Sequence, residues 1–274
     1  MTVKRIISAL FLITLSVSAI LLDYHFKMHW PFSFLVIFLI GAGLYEFFTL
    51  IERKGIKIYK YFGIAVGLLI PFSIYYKFEL TKGWELLFIV LVLLIIFLLQ
   101  FARRDNSGAV EGISTLLFGI LYISWLFSFI IKLSYLPNGI GLVGALLLIT
   151  KSGDIGAYLI GTRFGRRPLI AWISPKKSIE GTAGGFIFSV LAALASKAFL
   201  PGLSCAHWAV VGFSLGVLGQ LGDLSESLIK RDCRSKDSGL IFPGMGGVMD
   251  IIDSLLFTAP AFYFYMSFLI NKTL

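Results

Sequence analysis

The sequence predicts an all-α, polytopic integral membrane protein with about nine transmembrane helices and a cytoplasmic N terminus. Three observations lead there. The chain is 58% hydrophobic and 14% charged, with a mean hydropathy of +0.90, whereas a soluble domain carries about 25% charged residues. Apolar runs near the roughly 20 residues that cross the hydrocarbon of a bilayer as a helix recur along the whole chain. Lys and Arg gather in alternate connections between those runs, as they do in cytoplasmic loops.

In order, the runs cover about 6–22, 31–51, 61–76, 84–101, 112–133, 139–161, 181–200, 206–229 and 248–270. The first is read as a retained span. Val17-Ser18-Ala19 resembles a signal cleavage site, whose use would leave eight spans, but the apolar run continues through Leu22. The third is short, and Pro71 is expected to kink it. With the N terminus inside, only Lys27, Lys77, Lys82, Lys132, Lys197 and Lys272 fall outside, and Lys151 falls within a run. The formal charge of +9 is then mostly topology, which removes the nucleic-acid partner that so basic a soluble chain would imply. His25 and His29, beside Trp30, lack further ligand candidates and read as an interfacial loop. Cys205 and Cys233 are expected near opposite membrane faces and unlinked.

The chain reads as one membrane domain with a scaffold half, 1–135, and a chemical half, 136–274. In the first half Glu46, after Gly41-Ala42-Gly43, is the only acid well inside a run. A structural hydrogen bond and a proton-handling role are both open for it. The second half holds every other buried acid and the longest inner loops.

An ionisable side chain within a span costs about 2.5–3.5 kcal/mol at its centre on insertion scales, so those present should converge on a polar cavity. Lys151 and Asp154 fall in the sixth run, Asp223 and Glu226 in the eighth, Asp250 and Asp253 in the ninth. Gln220, Asp223, Glu226 and Lys230 make one stripe along a helix, and Asp154 with Tyr158 makes another. Lys151 with Asp154, and Glu226 with Lys230, read equally well as structural pairs. Asp223, Asp250 and Asp253 carry too many like charges to pair among themselves and favour a hard cation such as Mg2+.

The stretch Ser227–Asp253 supplies the rest of that site. Gly244, Gly246 and Gly247 stand just before Asp250 and Asp253, where the amides of a helix start attract anions. Lys230, Arg231, Arg234 and Lys236 add positive charge. The loop between the sixth and seventh runs reads Ser174-Pro175-Lys176-Lys177-Ser178 before a small-residue helix start at Gly181, Thr182, Gly184 and Gly185. Lysines before such a start suit phosphate oxygens, though a solvated loop that attracts anionic head groups has the same composition, and Gly184 and Gly185 equally serve close helix packing. Together these residues describe a site for a metal-bound polyphosphate. No Gly-x-x-x-x-Gly-Lys-Ser/Thr loop or nucleophile elbow is present. In-line phosphoryl transfer, which depends mainly on positioning and metal charge, fits the inventory.

Ser227-x-x-Lys230-Arg231, four residues, Lys236-Asp237-x-Gly239, then Pro243-Gly244-x-Gly246-Gly247-x-x-Asp250-x-x-Asp253 closely resembles the phosphatidate cytidylyltransferase signature. Gly222-Asp223-Leu224-x-Glu226-Ser227, the Ser174–Gly181 segment, and Asp154 with Tyr158, Gly161, Phe164 and Gly165 extend the resemblance over most of residues 150–255. It implies transfer of the cytidylyl group of CTP to phosphatidic acid, giving CDP-diacylglycerol and pyrophosphate, with Mg2+ and a second cation such as K+. By position, Asp223, Asp250, Asp253 and Asp154 would serve the metal centre. Ser174, Lys176, Lys177, Ser178, Lys230, Arg231, Lys236, Gly246 and Gly247 would bind CTP phosphates and the lipid head group, with Asp223, Asp250, Lys230 and Lys176 central to catalysis. A prokaryotic inner membrane, an active site facing the cytoplasm and a homodimer through membrane helices are consistent with the family. Two positions depart from it: Met245 stands where the family usually has His, and Ile251 where it usually has Arg. The alternatives are a membrane CTP-dependent lipid kinase, which would release CDP, and a cation-coupled transporter using Asp154, Asp223 and Asp250. The concentration of Lys, Arg and Gly on one side argues against the transporter.

Overall fold

The structure, a computed structural model, describes residues 3–26, 30–78, 83–103, 106–200, 202–239, 241–242 and 246–273. Its helices are α1 (Val3–Phe26), α2 (Trp30–Arg53), α3 (Lys60–Tyr75), α4 (Trp84–Ala102), α5 (Ala109–Gly119), α6 (Leu126–Ser134), α7 (Gly139–Phe164), α8 (Ile179–Ser196), α9 (Cys205–Asp232) and α10 (Met249–Thr273). A π-helical segment, Ile120–Trp125, joins α5 to α6 as one stretch. Among the described residues, nine helical stretches lie on the nine apolar runs, in an all-α membrane protein. Among the described residues, seven of these stretches are long and apolar enough to cross a membrane: α2, α4, Ala109–Ser134, α7, α8, α9 and α10. The 16-residue α3 is shorter than that.

Two irregularities in the first half satisfy one another. Pro71 lies inside α3 and has no N–H to give the carbonyl four residues back. That carbonyl, of Gly67, accepts a hydrogen bond from Ser124 Oγ in the π-helical segment. The helix continues to Tyr75. α1 is held to the bundle by buried Ala19 and by Asp23, whose Oδ1 accepts the backbone N–H of Phe32 at 3.4 Å. His25 lies in the last turn of α1, edge-on to Phe26, while His29 lies outside the described residues.

In the second half α7, α8, α9 and α10 pack in sequence. After α7 the chain forms a short antiparallel hairpin, β1 (Pro168–Ile170) and β2 (Ser174–Ser178), which leads into α8. Arg231 near the end of α9 donates Nε–H to the Ile173 carbonyl of this hairpin at 3.2 Å. Lys54, just past α2, pairs with Asp232 at the end of α9, 2.5 Å apart. The ends of α2, α7 and α9 and the starts of α8 and α10 thus share one end of the bundle, the end that carries the longest basic connections. Cys205 and Cys233 flank opposite ends of α9, and both are free.

Candidate active site

The site begins where α9 crosses the start of α10. A Cβ on Gly222 would come within 3.2 Å of Ser254 Cα and overlap the Asp253 carbonyl, so only glycine lets these two backbones meet. That approach sets Asp223 beside Asp253. One carboxylate oxygen from each of Asp223, Glu226 and Asp253 lies within 4.8 Å of the others. Glu226 is fully buried and Asp253 nearly so. Three carboxylates this close repel one another unless cations intervene.

Two lysines provide part of that charge. Lys177, from β2, places its ammonium 2.7 Å from Asp223. Lys230, one turn along α9 from Glu226, pairs with it and also with Asp250, whose Oδ1 is 2.5 Å away. Glu226 Oε1 still has no hydrogen-bond partner among the described residues. A hard oxygen donor set with an unmet buried carboxylate oxygen fits a divalent cation such as Mg2+.

The structure distributes the expected site residues unevenly. Asp223 and Asp253 come together, with Glu226 as the third carboxylate. Asp250 stands apart from that triple. Its Oδ2 accepts N–H bonds from Ser238 (3.1 Å) and Gly247 (2.8 Å) and the Ser238 hydroxyl (2.7 Å), while Oδ1 takes Lys230. Asp154 is tied to Lys151 (3.1 Å) and accepts from Ser254 Oγ (3.1 Å). Lys151 also donates to Ser254 Oγ and to the Ile251 carbonyl, both at 3.0 Å, and so joins α7 to α10.

Of the phosphate candidates, Lys176, Arg231 and Lys236 are exposed at this end of the bundle, and Lys177 is half-buried. Ser174 pairs with Ile170 in the hairpin. Ser178 caps α8, its hydroxyl accepting Gly181 N–H at 3.1 Å. Gly246 sits at φ +100°, a region that favours glycine, and a Cβ there would overlap the Asp250 carboxylate. Its N–H bonds the Phe242 carbonyl, and the Gly247 N–H is taken by Asp250. The amides of both glycines are therefore engaged within the protein, and the two residues shape the turn. Pro243, Gly244 and Met245 lie outside the described residues.

One residue whose role the spacing does not reveal is Glu46 on α2. Both of its oxygens face the start of α10, Oε1 accepting Val248 N–H and Oε2 Met249 N–H, each at 3.0 Å. An acid inside an apolar run was the signal; its partners lie about 200 residues away in sequence. Tyr122, in the π-helical segment, packs edge-on against Phe257, one turn along α10 from Asp253. Its buried hydroxyl has no hydrogen-bond partner among the described residues.

A family model described as the cytidylyltransferase family matches residues 3–269. The phosphatidate cytidylyltransferase of Synechocystis sp. (strain ATCC 27184 / PCC 6803 / Kazusa) is 32% identical, over 98% of this chain and 98% of that protein. The phosphatidate cytidylyltransferase of Bacillus subtilis (strain 168) is 30% identical, over 86% and 89%. The uncharacterized protein YnbB of Escherichia coli (strain K12) is 36% identical, over 82% and 76%. With a match that runs nearly from end to end, this chain belongs to the cytidylyltransferase family.

Proposed function

We propose that the protein transfers the cytidylyl group of CTP to phosphatidic acid, releasing pyrophosphate and leaving CDP-diacylglycerol. The observation that carries this reading is the carboxylate triple of Asp223, Glu226 and Asp253, flanked by Lys177 and Lys230 at the basic end of the bundle. The relatives named phosphatidate cytidylyltransferase support the choice of substrates. In the reaction a phosphate oxygen of phosphatidic acid bonds to the α-phosphorus of CTP as the bond to the β-phosphate's bridging oxygen breaks. The electron pair of that bond leaves on pyrophosphate.

Asp223, Glu226 and Asp253 would hold Mg2+, which when bound neutralises phosphate charge and polarises the phosphorus. Asp250 orients Lys230, and its carboxylate keeps that ammonium at the mouth of the triple. Lys177 holds Asp223 in place and, with Lys176, Arg231 and Lys236, offers positive charge to the triphosphate and the lipid phosphate. Asp154 acts through Lys151, which fixes α7 to α10. A second cation such as K+ belongs to the same proposal. So do nine spans with the N terminus inside, a cytoplasm-facing site in a prokaryotic inner membrane, surrounding membrane lipid and a homodimer.

The test follows the phosphorus. CTP labelled at the α-phosphate should pass its label into lipid, while γ-labelled CTP should release it as pyrophosphate. Label from the γ-position in lipid would instead show a kinase.

A further inference from the structure

We propose that Glu46 is a positioning residue for this reaction, fixing the start of α10 and, through Ser238, the carboxylate of Asp250. The proposal rests on the reading that Asp250 and Lys230 serve the reacting phosphates. Glu46 lies within α2, in the half of the chain remote in sequence from the site, and is 4% exposed. No basic side chain among the described residues pairs with it. Its carboxylate instead takes two backbone hydrogen bonds, from Val248 N–H and Met249 N–H at 3.0 Å each, and shares the Ser238 hydroxyl, 3.2 Å away, with Asp250.

Those amides are among the orphan donors of a helix start, where the backbone presents partial positive charge. With Gly247 N–H on Asp250, the amides of 247, 248 and 249 are all taken. These three amides are therefore engaged within the protein and are not free to take an outside anion. Burying a carboxylate is costly, and a neutral amide side chain would offer one acceptor atom where this seat uses two.

The link to Asp250 is the Ser238 hydroxyl, 2.7 Å from Asp250 Oδ2 and 3.2 Å from Glu46 Oε2. A hydroxyl has one proton to offer both. Gly239 and Gly247 leave room for the arrangement, since a Cβ on either would overlap the Glu46 carboxylate. Glu46 thus sets the turn that aims Asp250, and Asp250 aims Lys230.

The experiment compares Glu46→Gln, Ser238→Ala and the double variant with wild type, with Asp250→Asn as reference. It measures kcat, KM for CTP and phosphatidic acid, and thermal unfolding in detergent. A misplacement of about 1 Å by a change far from the chemistry can cost about 100-fold, and Glu46→Gln is expected to lower kcat by up to that scale with little change in KM for CTP. Ser238→Ala is expected to lower kcat too, and the double variant to be little worse than Glu46→Gln, because both act through one network. If Glu46→Gln fails to fold, Ser238→Ala decides, since it leaves both amide bonds intact. Wild-type kcat in Ser238→Ala or folded Glu46→Gln beside an inactive Asp250→Asn would overturn the proposal. So would losses that multiply in the double variant and follow its melting temperature. An active Asp250→Asn would overturn the role of Asp250 itself, and with it the role of Glu46.

Discussion

Lys230→Met should destabilise the protein more than any loss of contact area explains. The Lys230 side chain is 11% exposed, and its ammonium serves Glu226, 1% exposed, and Asp250, 13% exposed. Methionine keeps the apolar stem and removes the charge, which strands two buried carboxylates facing the same space. Breaking a buried ion pair in this one-sided way costs about 3–5 kcal/mol. At about 2–4 °C per kcal/mol for a chain of this size, the melting temperature should fall by roughly 6–20 °C. Adding Glu226→Gln to that variant removes one stranded charge and should recover part of the loss. Thermal unfolding of the three proteins in one detergent measures it. A Lys230→Met protein that melts with the wild type, or a double variant less stable than the single, would refute the reasoning.

Three further outcomes are expected. Gly222→Ala drives a methyl into the Asp253 carbonyl; overpacking of this kind costs about 1–3 kcal/mol, and by moving Asp223 from Asp253 it should also raise the Mg2+ concentration needed for half-maximal turnover. Arg234, two residues past the end of α9, has φ 52°, with Ser235 N–H on the Lys230 carbonyl at 2.8 Å. A left-handed residue other than glycine costs about 1–2 kcal/mol, so Arg234→Gly should raise the melting temperature. Lys176 is exposed, so Lys176→Ala should leave stability unchanged and raise KM for CTP or phosphatidic acid; unchanged KM for both would count against its role.

The helices were legible because lipid imposes a simple rule: a segment that crosses alone must be apolar and satisfy its own backbone, as a helix does. The α9 stripe was legible for a similar reason, since Asp223, Glu226 and Lys230 repeat at the spacing of one helical face. Which carboxylates meet was less so. Whether Glu226 serves Lys230 alone or joins Asp223 and Asp253 depends on how closely α9 and α10 approach, and that is decided at Gly222 by tertiary contact. The amides of Gly246 and Gly247 are engaged by Phe242 and Asp250, and the next two, of Val248 and Met249, are taken from α2 by Glu46, about 200 residues away in sequence. The π-helical segment likewise leaves no local mark; Ser124 answers a carbonyl freed by Pro71 on another helix.

The most direct measurement is pyrophosphate release by purified protein given CTP, phosphatidic acid and Mg2+, run beside Asp223→Asn and Asp253→Asn. Release should require all three components, stop on chelation of the metal, and vanish in both variants while their folding is kept. Release that survives in folded Asp223→Asn or Asp253→Asn, or that proceeds without phosphatidic acid, would contradict the account.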